Sequence, residues 1–291
     1  MRYEGNVFRP PSEAGSLILQ VTIGCSHNQC TFCRMYKGEK YREREWDEIK
    51  EDIDFCAERL KRTKRIFLAD GDALAMRTEN LLKVLNYLFD SFPMLERVGT
   101  YANPGSILEK DLTELIRLRE AGLKIAYLGV ETGNEEMLKE IRKGVTRAEM
   151  IEAGLKLKKA GIILSVTIIN GLGGNEKMVE HARDTATILN EIDPDYLSFL
   201  TLMLPPGSPL YRKAQRNEFK IPEAMEILKE IELMLKPLNL SNCVFRSNHA
   251  SNYLPLGGTL PRDKEKILEV LGAVLKSGNM RYLRPEYLRG L

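Results

Sequence analysis

Three cysteines crowd into the stretch "GCSHNQCTFC", residues 24–33: Cys25, Cys30 and Cys33. The whole chain holds only five cysteines in 291 residues, so the crowding is a chemical signal. Thiolates are soft ligands that suit zinc, copper(I) or iron–sulfur clusters. Structural zinc takes four ligands, usually as two pairs brought from separate segments. Here no second pair exists, since Cys56 and Cys243 stand alone and far apart. His27 is available as a fourth zinc ligand but is squeezed between Cys25 and Cys30. A disulfide would leave one thiol over. A cubane cluster ordinarily takes four protein ligands, and three leave one iron open to a small molecule. An iron–sulfur cluster is therefore the first reading of the loop and zinc the second.

Something must hold this loop, and the flanking sequence predicts what. Apolar runs rich in β-branched residues recur at 16–24, 65–70, 97–103, 124–131, 163–171, 196–203 and 243–251. Runs of this kind read as strands buried on both faces. Amphipathic helical patterns fill the gaps, at about 44–62, 78–90, 109–121, 134–144, 147–160, 175–191, 222–236 and 262–276. Strand, helix, strand in regular alternation predicts βα units, a parallel sheet and right-handed crossovers. The expected fold is α/β: a partial TIM barrel of (β/α)6 type with a C-terminal strand-and-helix extension. The reading is one domain over 1–291, with a barrel core over about 16–210 and the extension over about 211–291. Chemistry in such barrels sits in the loops after the strands, and the three cysteines follow the first strand directly.

Bulk composition narrows the partners. Lys plus Arg number 43 and Asp plus Glu 41, a formal net charge of +2, so no general pull toward nucleic acid or an acidic membrane face is expected. The basic stretch at 59–65 reads as a solvated helix end. The first residues, "MRYEGNVFRPPSEAG", carry charges and prolines where a secretory peptide needs an apolar run. No stretch approaches the ~20 apolar residues of a membrane span. A cytoplasmic protein is expected, and in that compartment clustered cysteines point to metal or redox chemistry.

Three cysteines after the first strand of a β/α barrel, with Phe32 before the last, resemble the radical S-adenosylmethionine (radical SAM) superfamily. The look is nearest to its methylthiotransferase, elongator and coproporphyrinogen-dehydrogenase branch. The resemblance implies a [4Fe-4S] cluster on Cys25, Cys30 and Cys33, and S-adenosylmethionine on the open iron. Reductive cleavage then gives a 5′-deoxyadenosyl radical that takes a hydrogen atom from substrate. It also implies an electron donor of flavodoxin or ferredoxin type. One departure stands out: the commonest family pattern has three residues between the first two cysteines, and this chain has four, Ser26 to Gln29.

By the same resemblance, other strand ends contact S-adenosylmethionine. Asp70, Gly71 and Asp72 take the place of the family's Gly-Gly-Glu element, which receives the ammonium group. Asn103, before Pro104, is assigned to ribose or substrate. Glu131, in "GVETG", resembles the Glu of the family's Gly-x-Glu-Ser-Gly element and is expected to accept ribose hydroxyls. Arg142, two to three turns along the next helix, is expected to pair with the carboxylate. Asn170 and Gly171, then Leu202 and Met203, are expected beside adenine. The segment "FRSNHASNY", 245–253, is dense in polar groups at the seventh strand's end. Arg246, Asn248, His249 and Asn252 are expected to bind substrate, with His249 as acid/base or hydrogen-bond donor because its pKa can be set near neutrality. His181, Cys56 and Cys243 read as structural.

Neither a cobalamin domain ahead of the barrel nor a second cysteine cluster is expected, which disfavours cobalamin-dependent methyl transfer. The expected reaction is hydrogen abstraction from a small organic substrate. The alternatives are an RNA-modifying member of the superfamily and a non-catalytic, metal-stabilised binding protein.

Overall fold

The computed structural model describes residues 1–290. Strands are β1 (Leu17–Gln20), β2 (Thr22–Ile23), β3 (Arg42–Glu43), β4 (Arg65–Ala69), β5 (Arg97–Ala102), β6 (Leu123–Glu131), β7 (Ile163–Asn170), β8 (Tyr196–Thr201), β9 (Cys243–Arg246) and β10 (Gly257–Leu260). Helices are α1 (Trp46–Arg59), α2 (Thr78–Ser91), α3 (Pro104–Glu109), α4 (Leu112–Glu120), α5 (Glu135–Glu140), α6 (Arg147–Lys159), α7 (Met178–Ile192), α8 (Pro209–Gln215), α9 (Ala224–Leu235) and α10 (Lys264–Ser277). Eight strands belong to one sheet, and β2 and β3 make a separate two-stranded ribbon. The fold class is α/β with a parallel sheet, in the strand–helix order of a partial β/α barrel.

By its contacts the chain forms two compact units. The first comprises Met1–Asn28, Arg34–Leu128 and Glu152–Leu164. In it β1, β4 and β5 lie side by side and parallel, with Leu19 opposite Leu68 and Leu68 opposite Thr100. Residues 66–69 of β4 are all buried, which is why its apolar run is unbroken. An aromatic cluster fills the core, with Phe67 edge-on to Tyr101 and to Tyr127 at 5.0 and 5.8 Å between centroids.

The second unit comprises Gln29–Cys33, Gly129–Ile151 and the chain from Ser165 onward. Here β7, β8 and β9 are parallel, while β10 runs antiparallel to β9. Phe199 of β8 meets Phe245 of β9 edge to face at 5.0 Å. Helix α9 buries Ile227, Leu228, Ile231 and Leu235 and packs beside α7 and α10.

Most predicted strands stand within two residues of their expected ends. Several features differ, among them helix α8, which no predicted pattern covered. The run at 243–251 is a strand only to Arg246, and beyond it the side chains of His249, Ser251 and Asn252 bond to the chain itself instead of alternating across a sheet. The pattern at 109–121 begins earlier and splits, since Asn103 caps α3 and the Asp111–Glu114 capping box starts α4 afresh. Strand β10, glycine-led and short, carried no apolar run to betray it.

Candidate cofactor site

The cysteine loop is shared along the chain: Cys25 lies in the first unit, Cys30 and Cys33 in the second. None of the three is in a disulfide, and all are partly exposed.

In the first unit, two aspartates hold the loop's start. The buried Asp70 accepts from Gly24 N–H at 3.1 Å and from Gln20 Nε2 at 3.0 Å, both on Oδ2. Its Oδ1 is buried with no partner. Burial pushes the Asp70 carboxyl up to about 6, against the opposing pull of those two hydrogen bonds. Gly71 N–H returns to the Gly24 carbonyl at 3.1 Å. A Cβ on Gly71 would stand 2.5 Å from the Tyr36 ring and 2.9 Å from Cys25 Cβ, so only glycine lets the chain pass this close to the first cysteine.

Asp72 is fully buried. It accepts from the Ser26 hydroxyl, from Ser106 Oγ at 2.9 Å and from Asn103 N–H at 3.1 Å. Burial raises its carboxyl's pKa while these three donors pull it down. Its acceptors are thus engaged by the chain's own donors. Asn103 itself caps α3 through Gly105 N–H.

The four-residue gap now has a structure. Ser26 is pinned by Asp72, and Asn28 turns the chain in the left-handed region at φ 44°. Asparagine tolerates that region better than most residues. The Asn28 amide also donates to the Tyr36 carbonyl at 2.8 Å.

In the second unit, Thr31 anchors the loop's other half. Its N–H donates to the Ile141 carbonyl at 2.9 Å, and its own carbonyl accepts from Leu210 N–H at 3.0 Å. Phe32 packs on a cluster of Ile141, Leu172, Leu202 and Leu210. Leu202 is therefore core, and its N–H bonds the Asn170 carbonyl at 2.8 Å. Met203 is half-buried.

Glu131 closes β6 in the left-handed region, φ 66°, which is costly for a residue with a side chain. Its carboxylate meets Lys143 Nζ at 3.1 Å, both side chains being about nine-tenths buried. A Cβ at Gly129 would lie 2.1 Å from Glu131 Oε1, so the glycine makes room for the carboxylate. Arg142 lies beyond the end of α5, not two to three turns along it, because that helix stops at Glu140. Arg142 takes φ 54° and is exposed, and this turn sends Lys143 back toward Glu131. Lys143 was missed by the sequence reading, although the cost of burying Glu131 unpaired demanded a cation nearby.

Asn170 ends β7, fully buried, with neither atom of its side-chain amide partnered. Gly171 N–H bonds Glu230 Oε2 at 2.6 Å, and Glu230 Oε1 meets His181 Nδ1 at 2.8 Å. His181 is thus structural, as its place in a helix suggested. Among the predicted substrate residues, Asn252 is buried and tied to β8 through Thr201 and the Phe199 carbonyl. Arg246 and Asn248 are exposed, and His249 is half-buried.

Among the described residues no three histidine, cysteine or acidic side chains are gathered into a ready-made metal group. The donor set is nonetheless that of a three-thiolate cluster. The orphaned side-chain amide of Asn170 and the partnerless Oδ1 of the buried Asp70 are the kinds of feature a ligand completes.

The model for the radical SAM superfamily matches residues 19–186. Heme chaperone HemW of Buchnera aphidicola is 22% identical over 67% of this chain and 53% of its own length. A probable threonylcarbamoyladenosine tRNA methylthiotransferase of Methanocaldococcus jannaschii is 26% identical over 76% of this chain and 52% of its own. The chain spans about half the length of these curated relatives. Among solved structures, methylornithine synthase (PylB) shares the fold with a TM-score of 0.55 and 19% identity, over 77% of this chain and 63% of its own. With its family match covering more than half of the sequence, this chain belongs to the radical SAM superfamily, whose members use a [4Fe-4S] cluster and S-adenosylmethionine.

Proposed function

We propose that this protein is a radical SAM enzyme acting on a small organic substrate. The observation that carries the reading is the loop of three cysteines, outside any disulfide and partly exposed, in a chain of this family. Cys25, Cys30 and Cys33 hold the cluster as thiolates. When bound, the cluster and S-adenosylmethionine supply reductive cleavage to a 5′-deoxyadenosyl radical, with the electron coming from a flavodoxin- or ferredoxin-type donor. The rest is binding and orientation by this chain. Asp70 and Gly71 fix the start of the cysteine loop. Thr31 and Phe32 fix its end. Glu131, oriented by Lys143, accepts ribose hydroxyls, and Asn170 offers a buried donor and acceptor to adenine. Arg142, exposed just past α5, pairs with the carboxylate.

Anaerobically reconstituted protein is expected to hold about four iron atoms per chain. With dithionite and S-adenosylmethionine it should release 5′-deoxyadenosine, and Cys33→Ala should do neither. Zinc in place of iron, or a full cluster that leaves S-adenosylmethionine intact, would sink the reading. A second reading, action on RNA, is favoured by the tRNA methylthiotransferase among the relatives. It requires tRNA binding that weakens as salt rises, which a filter-binding series at several salt concentrations measures.

A further inference from the structure

The loop after β9 is held on two sides. Thr201 N–H donates to Ser251 Oγ at 3.2 Å, and the Thr201 hydroxyl donates to Asn252 Oδ1 at 2.9 Å. From the other side, one guanidinium nitrogen of Arg284 reaches the carbonyls of His249, Ala250 and Asn252 at 2.7–3.0 Å. The His249 ring therefore sits on a fixed backbone.

Its protonation follows from its neighbours. Nδ1 lies 3.1 Å from the backbone nitrogen of Ser251 and 2.9 Å from Ser251 Oγ. A backbone N–H can only donate, so Nδ1 must offer a lone pair, and the ring's one proton sits on Nε2. The Ser251 hydroxyl accepts from Thr201 N–H, which leaves its own hydrogen to point at Nδ1 as well. An imidazolium would set one N–H against another. Burial, and after it the charge of Arg284, lower the ring's pKa in the same direction. No group among the described residues bonds Nε2, yet it is not sealed; the buried, partnerless imidazole nitrogen is that of His181.

We propose that His249 recognises substrate as a neutral Nε2–H donor, locked in that tautomer by Ser251, and that its ligand is an oxygen acceptor, a carbonyl or a carboxylate. The inference rests on reading the 245–253 loop as substrate-facing. It makes His249 a recognition residue, and it withdraws the acid/base role.

The test is long-range proton–nitrogen correlation on reconstituted protein labelled at its three histidines. The His249 signals are those lost in His249→Gln. At pH 7.5 Nδ1 is expected bare and Nε2 protonated, and Ser251→Ala, which keeps the backbone donor, should preserve that pattern. Titration with acetate and with N-methylacetamide should move the Nε2 signals saturably while His27 and His181 stay still. Response to acetate alone identifies a carboxylate ligand; response to both identifies the oxygen acceptor generally. A protonated Nδ1, an imidazolium at pH 7.5, or no response to either probe overturns the proposal. None of these readouts needs S-adenosylmethionine cleavage, so failure of the enzymatic reading shows separately, as a full cluster without 5′-deoxyadenosine.

Discussion

At the scale of single residues, the first cysteine depends on a glycine and an aspartate that do no chemistry of their own. Gly71→Ala would drive a methyl group into the Tyr36 ring and Cys25 Cβ. Such overpacking costs about 1–3 kcal/mol. The variant should unfold at lower urea and bind less iron on reconstitution, both measurable on one preparation. Asp70 gives a pH signature. Its folded pKa of about 6 lies above the ~3.9 of an unfolded aspartate. Between those values the folded state keeps a proton that the unfolded chain has released, so stability is lost as pH rises from about 4 to about 6. Asp70→Asn stays neutral throughout. Its urea midpoint should fall less over that window than that of the parent protein, by an amount equivalent to roughly 1–3 kcal/mol.

At the scale of elements, strand ends are fixed by helices that pack behind them. Helix α9 sends Glu230, and α7 sends His181, to hold the turn after β7 through the Gly171 N–H. Both side chains are fully buried. Glu230→Leu strands two buried polar groups at once, at about 1–3 kcal/mol each. Urea unfolding should register that loss. Adding His181→Leu should recover part of it, because one orphaned group is removed. If the double variant is no more stable than the single, the pair is not the reason. The same logic accounts for the short α5. Its six residues end at Glu140 so that Arg142 can turn and Lys143 can reach Glu131.

Across the whole molecule, the last residues brace a loop and a strand end that lie far away in sequence. Arg284 clamps the loop at 249–252. Arg289 donates to the Ser251 and Leu202 carbonyls and lies over the Tyr253 ring at 4.1 Å. Ending the chain at Leu283 removes both arginines. Hydrogen exchange at amides 247–252 should then speed up about tenfold or more, given that three hydrogen bonds of about 1 kcal/mol leave with Arg284 alone. Unchanged protection there would show that the loop holds itself.

Read residue by residue, the chain already declares its α/β class, its alternation of strands and helices, and a loop built for soft-metal ligation. Each rests on something local: a run of buried β-branched residues, a helical period, three soft ligands in one loop. The family resemblance drew attention to Glu131 and Asn170, and the structure buries both, one beside Lys143 and the other with its amide unpartnered. What the sequence could not show is how polar groups distant along the chain divide their hydrogen bonds. Asp72 looked like a ligand and is engaged by Ser26, Ser106 and Asn103. Asn252 looked like a substrate contact and is a brace to β8. His249 looked free to give or take a proton at either ring nitrogen, and its Nδ1 already accepts from Ser251 N–H. A side chain's type states which bonds it can make. Only the tertiary structure, by bringing distant donors and acceptors within about 3 Å, decides which of them are already made.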